Sequence, residues 1–194
     1  MIKLLAMAAS LRTGSYNRML IRIAADQARA AGAEVTLIDL RDFQMPYYDG
    51  DIEESQGLPD ASHRLTKLIR EHDGMMVASP EYNASVPGHF KNTFDWVSRE
   101  RPMPIARKPV MLLSTSPGDF GGARGVPHLR ASFDAVGAFV YPGIPTLAKA
   151  MEEFDEQGKL HDPETEQWLK KSVLGFVDFA SRLSAKDPTG KASK

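Results

Sequence analysis

The sequence contains no cysteine. That excludes disulfides, thiolate nucleophiles and any zinc or iron–sulfur site held by cysteine. No run approaches the roughly 18 apolar residues that would span a bilayer. The opening Met1-Ile2-Lys3-Leu4-Leu5-Ala6-Met7 lacks the charged region and small-residue cleavage site of a secretory signal. A cytoplasmic protein without membrane contact is therefore expected. Neither sign of charge is in excess: 24 Lys and Arg face 25 Asp and Glu, a formal net charge of −1. Nucleic-acid binding by counterion release needs a basic face, and small electron carriers dock through one strongly charged surface. The composition offers neither, which favours an enzyme over a shuttle. There is no Gly-x-Ser-x-Gly elbow for a hydrolase nucleophile. His63, His72, His89, His128 and His161 show no metal spacing, so no metal site is expected and solvated or capping roles fit them better. The acids Asp49, Asp51, Glu53 and Glu54 read as a solvated loop.

What is present is a regular alternation of segments over 194 residues with 42% hydrophobic content, enough for one α/β domain with a full core. Ile2 to Ala8 is a continuous apolar run, the mark of a strand buried on both faces. Asn17 to Ala31 has helical apolar spacing closed by Gly32. Strands are expected at Val35 to Leu40, Gly74 to Ser79, Pro109 to Thr115 and Ala138 to Tyr141. Helices are expected at Asp60 to Glu71, Gly88 to Arg99, Gly122 to Val136 and Pro163 to Leu183. Arg41 to Pro59 reads as a long loop, and Lys186 to Lys194 as a fraying tail after a single domain of residues 1–185. Trp96 and Trp168 fall at helical positions suited to core or interface. Five strands separated by helices imply right-handed crossovers and a parallel sheet covered on both faces.

In such sheets ligands bind beyond the carboxyl ends of the strands. The three loops there are chemically unusual. The first, Ser10-Leu11-Arg12-Thr13-Gly14-Ser15-Tyr16-Asn17, crowds three hydroxyls, an amide and a guanidinium at a helix N-terminus, where free amides and the helix dipole favour a phosphate. Ser15 acting only as an N-cap is the plainer alternative. The loop is neither a Walker loop nor a dinucleotide Gly-x-Gly-x-x-Gly turn, since it holds only Gly14. The second, Ser79 to Gly88, sets Tyr82 beside Glu81 and Asn83 between two prolines. That surface suits a flat heteroaromatic with a polar edge, or an ordinary strand–helix turn. The third, Ser114 to Arg124, places Gly118, Gly121 and Gly122 where backbone could approach a planar ligand.

These residues resemble the signatures of the NADPH-dependent FMN reductase family. The first loop is similar to Gly-Ser-x-Arg-x-x-Ser-x-Asn, with Ala9 in place of the glycine. Pro80-Glu81-Tyr82-Asn83 through Pro87 to Lys91-Asn92 resembles the second signature, and Ser116 to Arg124 resembles Ser-x-Gly-x-x-Gly-Gly-x-Arg. The resemblance covers roughly residues 1 to 140. It implies a flavodoxin-like three-layer α/β sandwich with a five-stranded parallel sheet in the order 2-1-3-4-5. It further implies FMN as cofactor, with the phosphate at Ser10, Arg12, Ser15 and Asn17 and with Tyr16 among the cofactor-binding residues. The ring and ribityl would lie along Pro80, Glu81, Tyr82, Asn83, Ser116, Gly118 and Gly121. Lys91, Asn92, Asp95 and Arg124 would support helices or subunit contacts, and Phe120 would border the acceptor face. No catalytic side chain is expected, because the flavin carries the chemistry.

The implied activity is ping-pong hydride transfer from NADPH or NADH to FMN, then to a small electron acceptor such as a quinone, azo compound or chromate. The alternatives are a non-catalytic FMN-binding carrier or redox sensor, and a reductase that releases free reduced FMN. A homodimer or homotetramer is implied too, and the apolar Phe90, Phe94 and Trp96 are compatible with a helix that packs a partner.

Overall fold

A computed structural model of the chain describes residues 1–185; the expected tail, Lys186 to Lys194, lies outside them. Five strands build the main sheet: β1 (Lys3–Ala8), β2 (Glu34–Ile38), β3 (Gly74–Ala78), β4 (Pro109–Thr115) and β5 (Phe139–Val140), in the order β2-β1-β3-β4-β5 with every pairing parallel. This is the flavodoxin-like order that the resemblance implies.

Period-two alternation sorts the strand side chains onto two cores. Leu4, Ala6, Ala8, Met76, Ala78, Met111 and Leu113 face one side. There they meet Leu20, Ala24 and Ala28 of α1 (Tyr16–Ala30) and Leu169, Val173 and Phe176 of α7 (Pro163–Ala185). Leu5, Met7, Met75, Val77, Val110 and Leu112 face the other side. Their partners come from α3 (Asp60–Glu71), α4 (Gly88–Val97) and α5 (Gly125–Ala135), through Leu65, Ile69, Phe90, Phe94, Leu129 and Phe133. Helix α1 is alanine-rich on its buried face, which brings it close to the sheet.

The structure departs from the sequence reading in two places. The long loop is partly helical: a 3-10 turn at Leu40–Phe43 and a helix α2 (Gly50–Gln56) lie in it. Asp39 and Asp49 start these turns by accepting the amides of Arg41 and Asp51. The fifth strand position is split. β5 pairs only with Pro109 and Val110, while β6 (Thr146–Leu147) pairs with Ser114 and Thr115 and leads into α6 (Ala150–Glu153). Pro142 and Pro145 lie between the halves and cannot donate to the ladder. Phe90, Phe94 and Trp96, which spacing alone left open between core and interface, are enclosed within this chain, Trp96 completely. Trp96 Nε1 donates to Pro46 O, so these rings form core and offer no partner surface. Trp168 is half exposed on α7.

Candidate functional site

The three loops meet at the carboxyl edge of the sheet. In the first, the Ala9 amide still donates to Ala78 O at 2.8 Å before the chain turns away. The Ala9 methyl is fully buried in the core beneath α3 to α5, so it does not fill the turn above. Ser15 takes extended N-cap geometry before α1, yet its hydroxyl makes no capping bond. None of the amides from Ser10 to Asn17 has an acceptor among the described residues. Ser10 and Ser15 are buried, while Arg12 and Thr13 are exposed, Arg12 with no acidic partner among the described residues.

Two neighbours turn inward. The Asn17 amide group donates to Thr115 O at 2.8 Å and accepts the Thr115 amide at 3.1 Å, fully inside the protein. The Tyr16 ring packs on Phe154 with centroids 5.8 Å apart. Both residues therefore present their backbone, rather than their side chains, at the helix start.

The second loop is a two-residue hairpin. Tyr82 and Ser85 exchange backbone hydrogen bonds at 3.0 Å, and the intervening Asn83 and Ala84 have φ of 50° and 60°. This is type I′ geometry, which favours Asn and Gly and strains Ala. Strain of this kind is held where surroundings over-determine the backbone. Glu81 points away from solvent: its carboxylate accepts the amides of Arg124 and Gly125 at 2.9 and 3.0 Å and pairs with the Arg124 guanidinium at 2.6 Å. Burial pushes the Glu81 carboxyl up, but Arg124 and the two amides outweigh it and hold it below its ordinary value. Tyr82 remains about half exposed, at 47%.

The third loop uses its glycines differently from one another. A Cβ on Gly118 would meet only Ser116 Oγ, at 4.0 Å, so the space above it is open. A Cβ on Gly121 would fall 2.6 Å from the Leu147 carbonyl carbon, and one on Gly122 1.7 Å from Ser114 Oγ, both at positive φ. Gly121 and Gly122 thus let the loop pack on β6 and β4. Ser114 Oγ donates to Ser79 O and Thr115 Oγ1 to Leu147 O, tying the ends of β3, β4 and β6 together. Phe120 stands exposed with the Arg124 guanidinium 4.5 Å from its ring centre.

The donor set fits a phosphorylated flat ligand. Unpartnered amides and hydroxyls gather at the α1 N-terminus, and a backbone strip without side chains runs past Gly118. Sequence reasoning missed one group at this edge. The His89 ring lies against the Ala9 carbonyl with Nε2 buried and unpartnered, and burial pushes its pKa below the ordinary value despite that carbonyl. His72 takes the capping role expected of it: it is the C-cap of α3, its ring bonding the Leu68 carbonyl of that helix and Thr36 Oγ1, and it is buried.

The acidic loop residues are partly engaged. Glu53 pairs with Arg99 at 2.8 Å and accepts from the Tyr48 hydroxyl. Asn92 bonds Tyr48 N and Pro46 O, so it fastens the long loop to α4, and Lys91 pairs with Asp95 on the same helix.

The description "NADPH-dependent FMN reductase" belongs to the family model that matches residues 2–152. A quinone reductase of Escherichia coli is 34% identical over 184 residues, covering 94% of this chain and 97% of its own. An NAD(P)H-dependent FMN reductase of Pseudomonas aeruginosa shows the same identity and coverage. Among solved structures, the flavoenzyme NAD(P)H:acceptor oxidoreductase FerB of Paracoccus denitrificans superposes with a TM-score of 0.79 at 26% identity, over 94% of this chain and 98% of that one. Matching loops, matching strand order and a family match spanning all three motifs lead to one conclusion: the chain belongs to the NADPH-dependent FMN reductase family.

Proposed function

We propose that the protein is an NAD(P)H-dependent reductase that holds FMN across the three loops and reduces a small acceptor of the quinone class. One observation carries the reading: the amides from Ser10 to Asn17 lie unpartnered beside buried hydroxyls, on a loop at the carboxyl edge of a parallel sheet, where such folds bind ligands. When bound, FMN supplies the chemistry, accepting hydride from NAD(P)H and delivering it to the acceptor.

The chain's own part is to bind and orient. Ser10, Ser15 and the amides of Tyr16 and Asn17 would hold the phosphate, with Arg12 free to add charge. The backbone of Pro80, Glu81, Tyr82 and Asn83, with Ser116, Gly118 and Gly121, would flank the ring. Fixed amide donors at its polar edge would favour added negative charge there. Tyr82 and Phe120, both well exposed at the mouth, support assembly as a homodimer or homotetramer in which a second subunit helps to cover the ring. The reading places the enzyme in the cytoplasm, where NAD(P)H is available.

The test is a visible spectrum of the protein with FMN, then with NADPH without oxygen, then with a quinone. Shifted flavin bands, bleaching and recovery support the proposal. Flavin binding without bleaching turns the reading towards a carrier or sensor. Unchanged free-flavin bands refute the site. Sedimentation analysis decides the assembly, and cell fractionation the location.

A further inference from the structure

Beside the flavin cradle, three arginines and a single carboxylate gather between α1 and the end of β2. Asp39, just after β2, accepts from Arg41 Nη2 and Arg18 Nη2, each at 2.6 Å, and from the Arg41 amide. The Arg41 guanidinium, with Arg18 beside it, holds the Asp39 carboxyl well below its ordinary value against the burial that pushes it up. Its charge is therefore fixed and already shared. Arg22 follows Arg18 one turn along α1, exposed and with no acidic partner among the described residues. No acid in the first turn of α1 offsets these cations, which oppose the helix dipole. Positive charge is in excess here.

A cavity of about 180 Å³ opens among them, bordered by Ser10, Arg18, Arg22 and Asp39, with Ile21 and Leu37 as its apolar wall. Arg18 Nη1 is buried with no hydrogen-bond partner, a cost that a bound anion would relieve. The cavity is smaller than the roughly 300–1,000 Å³ of a complete small-molecule pocket, so it suits one group of a longer ligand. Strand β2 is the edge of the sheet, and its Leu37 stays 37% exposed while β1, β3 and β4 bury nearly every side chain. An apolar shelf thus leads from the cavity to the surface.

The cavity adjoins the cradle at both ends of its loop. Ser10 opens the run of unpartnered amides and also borders the cavity, and Arg18 directly follows Asn17, where that run closes. A group held in the cavity therefore neighbours a phosphate held in the cradle. Two phosphates joined through one bridging oxygen must lie side by side in this way. FMN ends at its phosphate, whereas FAD continues through a second phosphate to adenosine. Arginine is the side chain suited to such a group, through several donors in a fixed fork. We propose that this cavity binds the second phosphate of FAD, with the adenosine against Ile21 and Leu37, so that the protein accepts FAD as well as FMN. The inference rests on the flavin-binding part of the reading above.

The test titrates the protein with FMN and with FAD by flavin fluorescence, beside its Arg22→Gln and Arg22→Glu variants, which alter an exposed side chain outside the cradle. FAD should bind the parent at least as tightly as FMN. Arg22→Gln should weaken FAD about tenfold, the size of one charge-assisted bond, and leave FMN unchanged. Arg22→Glu should weaken FAD further. Equal losses for the two flavins overturn the proposal, because they assign the arginine to the phosphate that both share. FAD binding to the parent more than about tenfold weaker than FMN overturns it as well. If inorganic phosphate then binds the FMN-loaded parent by calorimetry and not Arg22→Gln, the cavity belongs to the free ion. Failure of both flavins to bind removes this inference together with the cofactor reading. Flavin binding without bleaching by NADPH removes the reductase reading alone, and the two affinities still decide the cavity.

Discussion

Replacing Glu81 by Gln should loosen the join between the second and third loops without removing a single heavy atom. The carboxylate accepts two backbone amides, from Arg124 and Gly125, and pairs with the Arg124 guanidinium. The Glu81 side chain is 7% exposed and that of Arg124 57%. Downgrading each amide bond from charge-assisted to neutral costs about 1 kcal/mol. The half-exposed guanidinium adds little, because an exposed pair is worth roughly 0–1 kcal/mol. The sum is about 2 kcal/mol, which for a domain of this size lowers Tm by about 4–8 °C. If all of it appears in loop position, FMN affinity falls by at most about 30-fold.

Thermal melts of the flavin-free protein and fluorescence titration with FMN measure the two parts separately. The pH dependence adds a signed check. Because the folded carboxyl is held below its ordinary value of 4.5, its stabilisation is complete above that pH and is lost as pH falls through the folded value. The gap between parent and Glu81→Gln should therefore narrow in acid. A Tm within about 1 °C of the parent, with superimposable FMN titrations, would refute the idea that Glu81 holds the loops together.

Other substitutions separate fold from site. Gly118→Ala should fold normally, since its Cβ meets open space, yet weaken FMN about tenfold if the ring lies over it. Gly122→Ala should yield little folded protein, because its Cβ collides with Ser114 Oγ at positive φ; soluble expression and circular dichroism report the difference. Ala84→Gly should raise stability to denaturant by about 0.5–1 kcal/mol by removing left-handed strain at φ 60°. His89 has a folded pKa below its ordinary value of 6.5. Its neutral form therefore supports the fold above that pH, and stability drops as pH falls below it. Denaturation curves of His89→Leu should lack that decline.

The sheet was legible because its strands are continuous apolar runs, and α3 and β4 fall at the residues their spacing assigns. β6 was not legible. Two residues, Thr146 and Leu147, carry no periodicity, and their pairing depends on β4 stopping its contact with β5 after Val110. The helix α2 was hidden for a similar reason: its start is set by the Asp49 side chain, and it buries no residue, so no hydrophobic stripe marks it. In the candidate site, the motifs fall on three loops that meet at the carboxyl edge of the sheet, but residue type alone could not say which atoms face outward. Tyr16, Asn17 and Glu81 were all expected to contact the cofactor, and the side chains of all three have partners inside the protein.

That inward turn bears on what the motif residues are for. A flat, phosphorylated ligand needs many weak donors at fixed positions, and backbone amides supply these at no cost in side-chain entropy once the loops are held. Loops without secondary structure are not held by ladders, so something else must fix them. Asn17 does this for the first and third loops through Thr115, Glu81 for the second and third through Arg124 and Gly125, and Ser114 for the ends of β3 and β4 through Ser79. The three ties use polar groups that are largely buried, where an unmade bond costs about 1–3 kcal/mol, so the third loop anchors the other two. A change at Asn17 should therefore disturb the Thr115–Ser116 backbone and weaken flavin at the far loop. Asn17→Ala should lower FMN affinity and, by orphaning Thr115 N and O, cost about 2–4 kcal/mol of stability. Asn17→Asp should keep the bond from the Thr115 amide while setting a carboxylate against Thr115 O and beside the phosphate cradle. If Asn17→Asp binds FMN as tightly as the parent, the mutual-support argument fails at its first tie.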